Sequence, residues 1–181
     1  MKKIIVLMTS LLLLTGCVKV SFTGPKKEEK TSQSSNRKKE PLTFVRAEQY
    51  KDQDNEVLEA SEKFIKEHPT LGEAGKLFVF FPGYTFGNEE NRFDLFFIVN
   101  RTTTTIDRDG SFVLNLEYDG EPLFKDVTVD YEVSESGVLK PNTAAAIPIK
   151  ITKEQEEKMK GMNDSSKAKM SFNDFKFKSK G

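Results

Sequence analysis

From residue 77 onward the chain alternates apolar and polar positions, and ahead of that region lies one stretch with helical spacing. Over residues 46–67, Tyr50, Val57, Leu58, Ser61, Phe64 and Ile65 fall on one face at intervals of three, four and seven, which predicts an amphipathic helix. Glu48 and Asp52 in its first part and Lys63 and Lys66 near its end complement the helix dipole. Pro69 and Gly72 stop it. Leu77 to Phe81 is a continuous apolar run, as in a strand buried on both faces. Strict alternation follows around Phe93–Val99, Phe112–Tyr118, Val127–Val133 and Ala145–Ile151. In the last run Met170 and Phe172 keep one phase and Phe175 and Phe177 the other. Asn173-Asp174 between them predicts a bulge that resets the alternation. Pro148 cannot donate to a ladder, so the strand at 145–151 is expected at an edge, or beside a gap. Turn chemistry separates the runs: Pro82-Gly83, Gly87-Asn88, Asp109-Gly110, Asp119-Gly120, Ser136-Gly137 and Pro141-Asn142. Six short strands without a βαβ rhythm predict a mainly β chain, an antiparallel β-sandwich with an N-terminal amphipathic helix. Residues 152–162 read as a short polar helix or charged loop, with Thr152 and Gln155 spaced as a capping box.

The first forty residues obey neither pattern. Lys2 and Lys3 precede an apolar stretch from Ile4 to Leu14 that ends in small residues, the layout of a secretory signal. It is too short to span a hydrocarbon core as a helix, which takes about 20 residues. The expected organisation is a signal peptide over 1–16, a tether over 17–40 and one helix-plus-sandwich domain over 41–181. Residues 17–40 carry seven basic and three acidic groups and almost no apolar residue after Phe22. Such a segment cannot offset an ordering cost of ~1–2 kcal/mol per residue. Residues 41–181 hold 19 basic and 25 acidic groups, an acidic balance that argues against a nucleic-acid partner. The basic tether suits an anionic lipid surface.

Few residues could carry chemistry. Cys17 is the one cysteine and His68 the one histidine, which excludes a Cys/His zinc set, and no Gly-x-Ser-x-Gly is present. His68, between Glu67 and Pro69, reads as the cation at a helix end. Asp107-Arg108-Asp109-Gly110 has half of a calcium-loop pattern and is read as a hairpin turn. Glu89, Glu90 and Asp94 could supply paired carboxylates, although Glu89 and Glu90 lie in a polar loop. The densest aromatic cluster runs from Phe78 to Phe86; Phe78 and Phe80 suit the core, and Tyr84 and Phe86 are the candidate binding residues. No catalytic residue, metal site or cofactor is expected.

Leu14-Thr15-Gly16-Cys17 resembles the lipobox of bacterial lipoproteins, and with the Lys/Glu/Ser tether it is similar to small surface lipoproteins of Gram-positive bacteria. The resemblance implies a lipid anchor on Cys17, such as a palmitate-bearing diacylglycerol, signal cleavage just before it, and a place on the outer face of the cell membrane. Phe96-Phe97-Ile98-Val99-Asn100-Arg101-Thr102, followed by Asp109-Gly110 and later Gly137 to Asn142, is similar to the immunoglobulin-like modules of those lipoproteins. The function expected is a non-enzymatic binding or accessory module for an unknown protein or cell-wall partner. The alternatives are a small cell-wall-directed hydrolase or its inhibitor, or a small-ligand-binding lipoprotein.

Overall fold

Asn55 decides where the first helix begins. Its Oδ1 accepts hydrogen bonds from the backbone N–H groups of Val57 (3.1 Å) and Leu58 (2.9 Å), closing the N-terminus of α1, Glu56–Glu67. The helix is therefore shorter than the 46–67 periodicity predicts. Residues ahead of it form a strand end and a single 3-10 turn, Glu48–Tyr50. Arg46 holds that segment as a loop: its guanidinium donates to Gln53 O at 2.8 Å and pairs with Glu62 at 3.0 Å. Tyr50, expected on the apolar helix face, instead donates its hydroxyl to Glu135 at 2.6 Å. Glu56 and Glu59 in the first turn and Lys66 in the last suit the dipole.

The computed structural model describes residues 40–178. The signal segment, Cys17 and the tether through residue 39 lie outside the described residues. Seven strands form two facing sheets, a β-sandwich. One sheet has the order β1-β6-β3-β2, from β1 (Thr43–Val45), β6 (Thr143–Ile151), β3 (Arg92–Asn100) and β2 (Leu77–Gly87). The other has the order β5-β4-β7, from β5 (Glu121–Tyr131), β4 (Gly110–Tyr118) and β7 (Ala168–Phe177). All pairings are antiparallel except β1 with β6, which is parallel over Thr43–Val45. No helix among the described residues is long and apolar enough to cross a membrane.

Two apolar layers share β3. Phe96 and Ile98 point between the sheets, into a core with Phe112, Leu114, Leu116 and Phe172. Leu95, Phe97 and Val99 point the other way, onto Phe64 and Ile65 of α1. Residues 94–100 are consequently all buried. The Phe64 ring stacks on Phe97 at 5.2 Å and on Phe80 at 5.4 Å.

Several turn expectations change. Asp119-Gly120 is a two-residue hairpin with φ of 53° and 85°, as a tight type I′ connection demands. Asp109-Gly110 is not a hairpin turn; it lies on the crossing from β3 in one sheet to β4 in the other. Glycine is needed at 110 for close approach, since a Cβ there would sit 2.8 Å from Lys176 O. Asp109 Oδ1 instead accepts from the Val133 N–H at 2.9 Å, where the chain leaves β5 for the short helix α2 (Val133–Ser136). Pro82-Gly83 does not end β2. The register passes from Phe80↔Phe97 to Tyr84↔Leu95, so three residues of β2 oppose one of β3. That bulge turns Phe81 inward, stacked on Phe96 at 4.8 Å, and brings Tyr84 out on the other face.

In β7 the register shift falls where Asn173-Asp174 predicts it: Val113 pairs with Asn173 and Ser111 with Lys176. The extra residue lets Phe172, Phe175 and Phe177 all pack toward the inner core. Pro148 opposes Leu95 on β3, and on the other edge of β6, where β1 pairs only as far as Ala145, no strand among the described residues pairs beyond it. The strand β1 that covers the rest was not legible, because three residues carry no period.

The polar run after β6 is a helix, α3 (Lys153–Lys160), and its capping box forms. The Gln155 N–H donates to Thr152 Oγ1 at 3.1 Å, and the Thr152 N–H to Gln155 Oε1 at 2.9 Å. Met159 and the following Met162 enter the inner core. Gln155 Nε2 donates to Leu123 O of β5 at 2.7 Å, so α3 bridges the sheets.

Candidate functional site

The two poles of β3 differ in chemistry. At its C-terminal end, Arg101 is buried and makes four hydrogen bonds. Nε donates to Leu71 O (2.9 Å), Nη2 to Pro69 O (2.7 Å), and Nη1 to Glu40 O (2.5 Å) and Asn142 Oδ1 (3.1 Å). This clamp gathers the start of the domain, the loop after α1 and the entry to β6. Asn100 completes the corner: its Nδ2 donates to Leu139 O at 3.0 Å, and its Oδ1 accepts from Thr102 Oγ1 at 2.6 Å. Burial lowers the guanidinium's affinity for its proton, and the nearby Glu40 opposes that. Glu40, the first described residue, is therefore fixed at this pole.

The opposite pole holds the aromatic candidates. Nine residues of β3 at about 3.3 Å each place it roughly 25–30 Å away. On the outer sheet face, the register aligns Tyr84, Leu95 and Pro148 in one row and Phe86, Phe93 and Lys150 in the next. α1 covers Leu95 and reaches the edge of Tyr84 through Phe64. Tyr84 is 37 % exposed, Phe86 and Phe93 are half-buried, and Pro148 and Lys150 are exposed. Phe86 stacks on Phe93 at 5.6 Å, and Tyr84 meets Phe64 edge-on at 6.0 Å. Burial, then the charge of Glu67, push the Tyr84 phenol up, which keeps its O–H protonated. Tyr84 and Phe86 thus share one ledge. Phe93 belongs to it and was missed, because its alternation with Leu95 and Phe97 assigns all three alike to core.

Behind the ledge, on the inner face, β2 and α3 enclose a polar cleft of about 370 Å³. Thr85, Phe86 and Asn88 line one wall, and Glu156 and Lys160 the other. Gly87 allows the tight β2–β3 hairpin here, with φ of 106° and a hypothetical Cβ only 1.9 Å from Asn91 O. Asn88 Oδ1 accepts from the N–H groups of Glu90 and Asn91, both at 3.0 Å. Arg92 reaches Glu156 at 2.7 Å and Lys160 reaches it at 2.6 Å, one on each carboxylate oxygen. Lys160, and then Arg92, hold the Glu156 carboxyl below its ordinary range.

Asp94 lies beneath this cleft. Its side chain is fully buried and pairs in register with Thr85, whose hydroxyl donates to Oδ1 at 2.6 Å. Oδ2 has no hydrogen-bond partner among the described residues. Burial pushes the carboxyl up to about 6, helped by Glu156 and opposed by the Thr85 hydrogen bond and Lys160. Glu89 and Glu90 are exposed on the hairpin, so the three acids do not form a facing pair. His68 caps α1, its Nδ1 2.8 Å from Phe64 O and its ring stacked on Phe64 at 4.2 Å. Arg108 of the calcium-like segment lies over the Phe177 ring at 4.4 Å. Among the described residues no group of three or more His, Cys, Asp or Glu could hold a metal ion.

A second cleft, about 350 Å³, lies on the three-stranded sheet and includes Glu117 and Lys169. There Lys169 and Glu117 pair at 3.2 Å, and Asn115 Oδ1 takes the Asp126 N–H at 2.7 Å. The cleft under α3 differs in having an orphaned buried acceptor beside it. No protein-family model, curated protein or solved structure matches the chain.

Proposed function

We propose that the protein is a lipid-anchored, non-enzymatic binding module on the extracytoplasmic face of a cell membrane. The observation that carries this reading is the separation of poles. The tether joins beside Arg101, and the aromatic ledge of Tyr84, Phe86 and Phe93 sits at the far end of β3. A domain held by its tether at one pole presents the other to a protein or cell-wall partner. Exposed aromatic side chains are the residues best suited to anchor such a contact. The placing of Asp94 inside the sandwich and of Glu89 and Glu90 in solvent favours binding over hydrolysis, which needs two carboxyl groups facing across one cleft.

The immunoglobulin-like reading rests on neighbour relations. With β1-β6-β3-β2 named A-B-E-D and β7-β4-β5 named C-F-G, each strand has the neighbours of a constant-type immunoglobulin sandwich. The chain then visits them in the order A, D, E, F, G, B, C, with B and C moved to the end, and β1 runs parallel to its neighbour. The resemblance is to the arrangement of strands and not to the order of the chain.

Two experiments test the function. Cys17→Ala should leave the precursor uncleaved or free the protein from membranes; a mature wild-type chain that starts elsewhere and carries no lipid, read by mass spectrometry, rejects the anchor. The double change Tyr84→Ala and Phe86→Ala should abolish capture of partners from intact membranes with a nearly unchanged melting temperature. Each anchor residue is worth at least ~1–2 kcal/mol of binding. A fall in stability of about 3–5 kcal/mol instead would assign both rings to the core and remove the ledge as the contact.

A further inference from the structure

The aromatic ledge carries opposite charges at its two ends. Tyr84, Phe86, Phe93 and Pro148 form an uncharged strip across β2, β3 and β6 on the outer sheet face. Lys150 of β6 closes one end, in register with Phe93. Its ammonium donates to a neutral group, Asn91 Oδ1, at 3.3 Å. Glu67 closes the other end. It follows Phe64 by three residues, on the same side of α1, and Phe64 meets Tyr84 edge-on at 6.0 Å. Glu67 and Lys150 are both exposed, and no salt bridge among the described residues uses either. Tyr84 and Lys150 stand on strands two positions apart in the sheet, so the line from Glu67 to Lys150 crosses the strip diagonally. Extension of the sheet at the free part of the β6 edge is opposed by Pro148, which cannot donate to a ladder. The face, and not that edge, is the surface on offer.

The two charges narrow what can lie on the strip. An anionic surface is drawn to Lys150 and repelled by Glu67, and a cationic one the reverse. An uncharged one covers both ends and pairs neither. A second copy of this chain, turned about a two-fold axis in the plane of the strip, sets its Lys150 against Glu67 and its Glu67 against Lys150. The same rotation lays the rings of one ledge on those of the other. We propose that the ledge is the face of a symmetric homodimer, in which two copies pack ring against ring and exchange Glu67–Lys150 pairs. This rests on the reading of the ledge as the contact surface and names its partner as the chain itself. Two residue rows across three strands cover roughly 15 Å by 15 Å. That is small beside the interface of a stable complex, so the pair is weak and reversible.

The test is sedimentation equilibrium of the full chain in an uncharged, density-matched detergent, at concentrations up to about 200 µM. The wild type should show a reversible monomer–dimer equilibrium with a Kd of about 10–100 µM. Each charge contact occurs twice in the dimer, so Lys150→Glu and Glu67→Lys should each weaken it about tenfold. Combining the two restores opposite charges across the axis and should return the Kd to within about threefold of wild type. Both positions are exposed, so all three variants should melt with the wild type. The inference is overturned if the wild type stays monomeric at about 200 µM. It is also overturned if either single reversal leaves the Kd unchanged, or if the double variant is weaker than both single ones. A monomeric wild type whose capture of partners still needs Tyr84 and Phe86 removes the homodimer and keeps the ledge as a contact for another molecule. Capture that survives the loss of both rings removes the ledge reading, and the homodimer with it.

Discussion

Replacing Arg101 with alanine should destabilise the domain by about 3 kcal/mol, read as a lower midpoint of urea unfolding with an unchanged slope. Arg101 is 6 % exposed, and its guanidinium donates to three backbone carbonyls and one side-chain amide oxygen. Truncation would strip Pro69 O, Leu71 O and Glu40 O of a charged donor at once. Each such acceptor, if left buried and unpaired, costs about 1–3 kcal/mol, and water entering the space recovers part of it. Arg101→Lys should recover little, because one ammonium cannot reach the carbonyls that the planar fork serves from three nitrogens. The loss should be local as well: amides near residues 40–42 and 69–72 should exchange faster, while those of β4 and β5 keep their relative protection. A change under about 1 kcal/mol for the alanine variant would show that the clamp is not what holds this pole together.

Asp94 should make the domain lose stability as pH rises through about 6. The folded-state value lies above the 3.8 of a free aspartate, so the folded protein holds this proton more tightly than the unfolded chain does. The contribution is fully present below pH 3.8 and is lost as pH climbs through about 6. At about 1.36 kcal/mol per decade of proton affinity, the whole effect is about 3 kcal/mol. Glu156, Glu135 and Asp164 are shifted downward and act in the opposite sense, so wild type alone would show a blended profile. The clean readout is the difference between wild type and Asp94→Asn, in which those groups cancel. Asp94→Asn should be the more stable of the two at pH 7.5, with the gap closing by about 2–2.5 kcal/mol on going to pH 4. A pH-independent difference would mean that the ionised carboxylate is satisfied in the folded protein, by Lys160 or by water entering the cleft.

Much of this fold is readable along the chain because alternation and turn chemistry are local. Phe112, Leu114 and Leu116 show one buried face within seven residues, and Asp119-Gly120 marks its hairpin by residue type alone. The capping box of α3 was legible from Thr152 and Gln155, since both partners lie within one helical turn. The bulge in β7 was legible because an extra residue breaks the period. The start of α1 was less so: Tyr50 keeps the helical spacing, but Arg46 and Asn55 compete for the same backbone. Pro82-Gly83 carries every sign of a turn, and only pairing with β3 shows it to be a bulge inside one strand.

The candidate site divides in the same way. Tyr84 and Phe86 could be picked out by residue type and by their place near turn residues. Phe93 and Asp94 could not, because their neighbours come from β2, β6 and α3, up to 64 positions away for the Arg92–Glu156 contact next to them. The sequence by itself determined the helix-forming and strand-forming segments, their buried faces and most turns. These follow from side-chain periodicity, turn geometry and charge within a few residues. Tertiary structure alone decided which strands pair, that β3 is buried on both faces, that Asp94 is stranded in the interior, and that Glu40 and the aromatic ledge lie at opposite poles. Those depend on contacts between distant segments, whose strength is set by burial and solvent exclusion, and no local pattern encodes them.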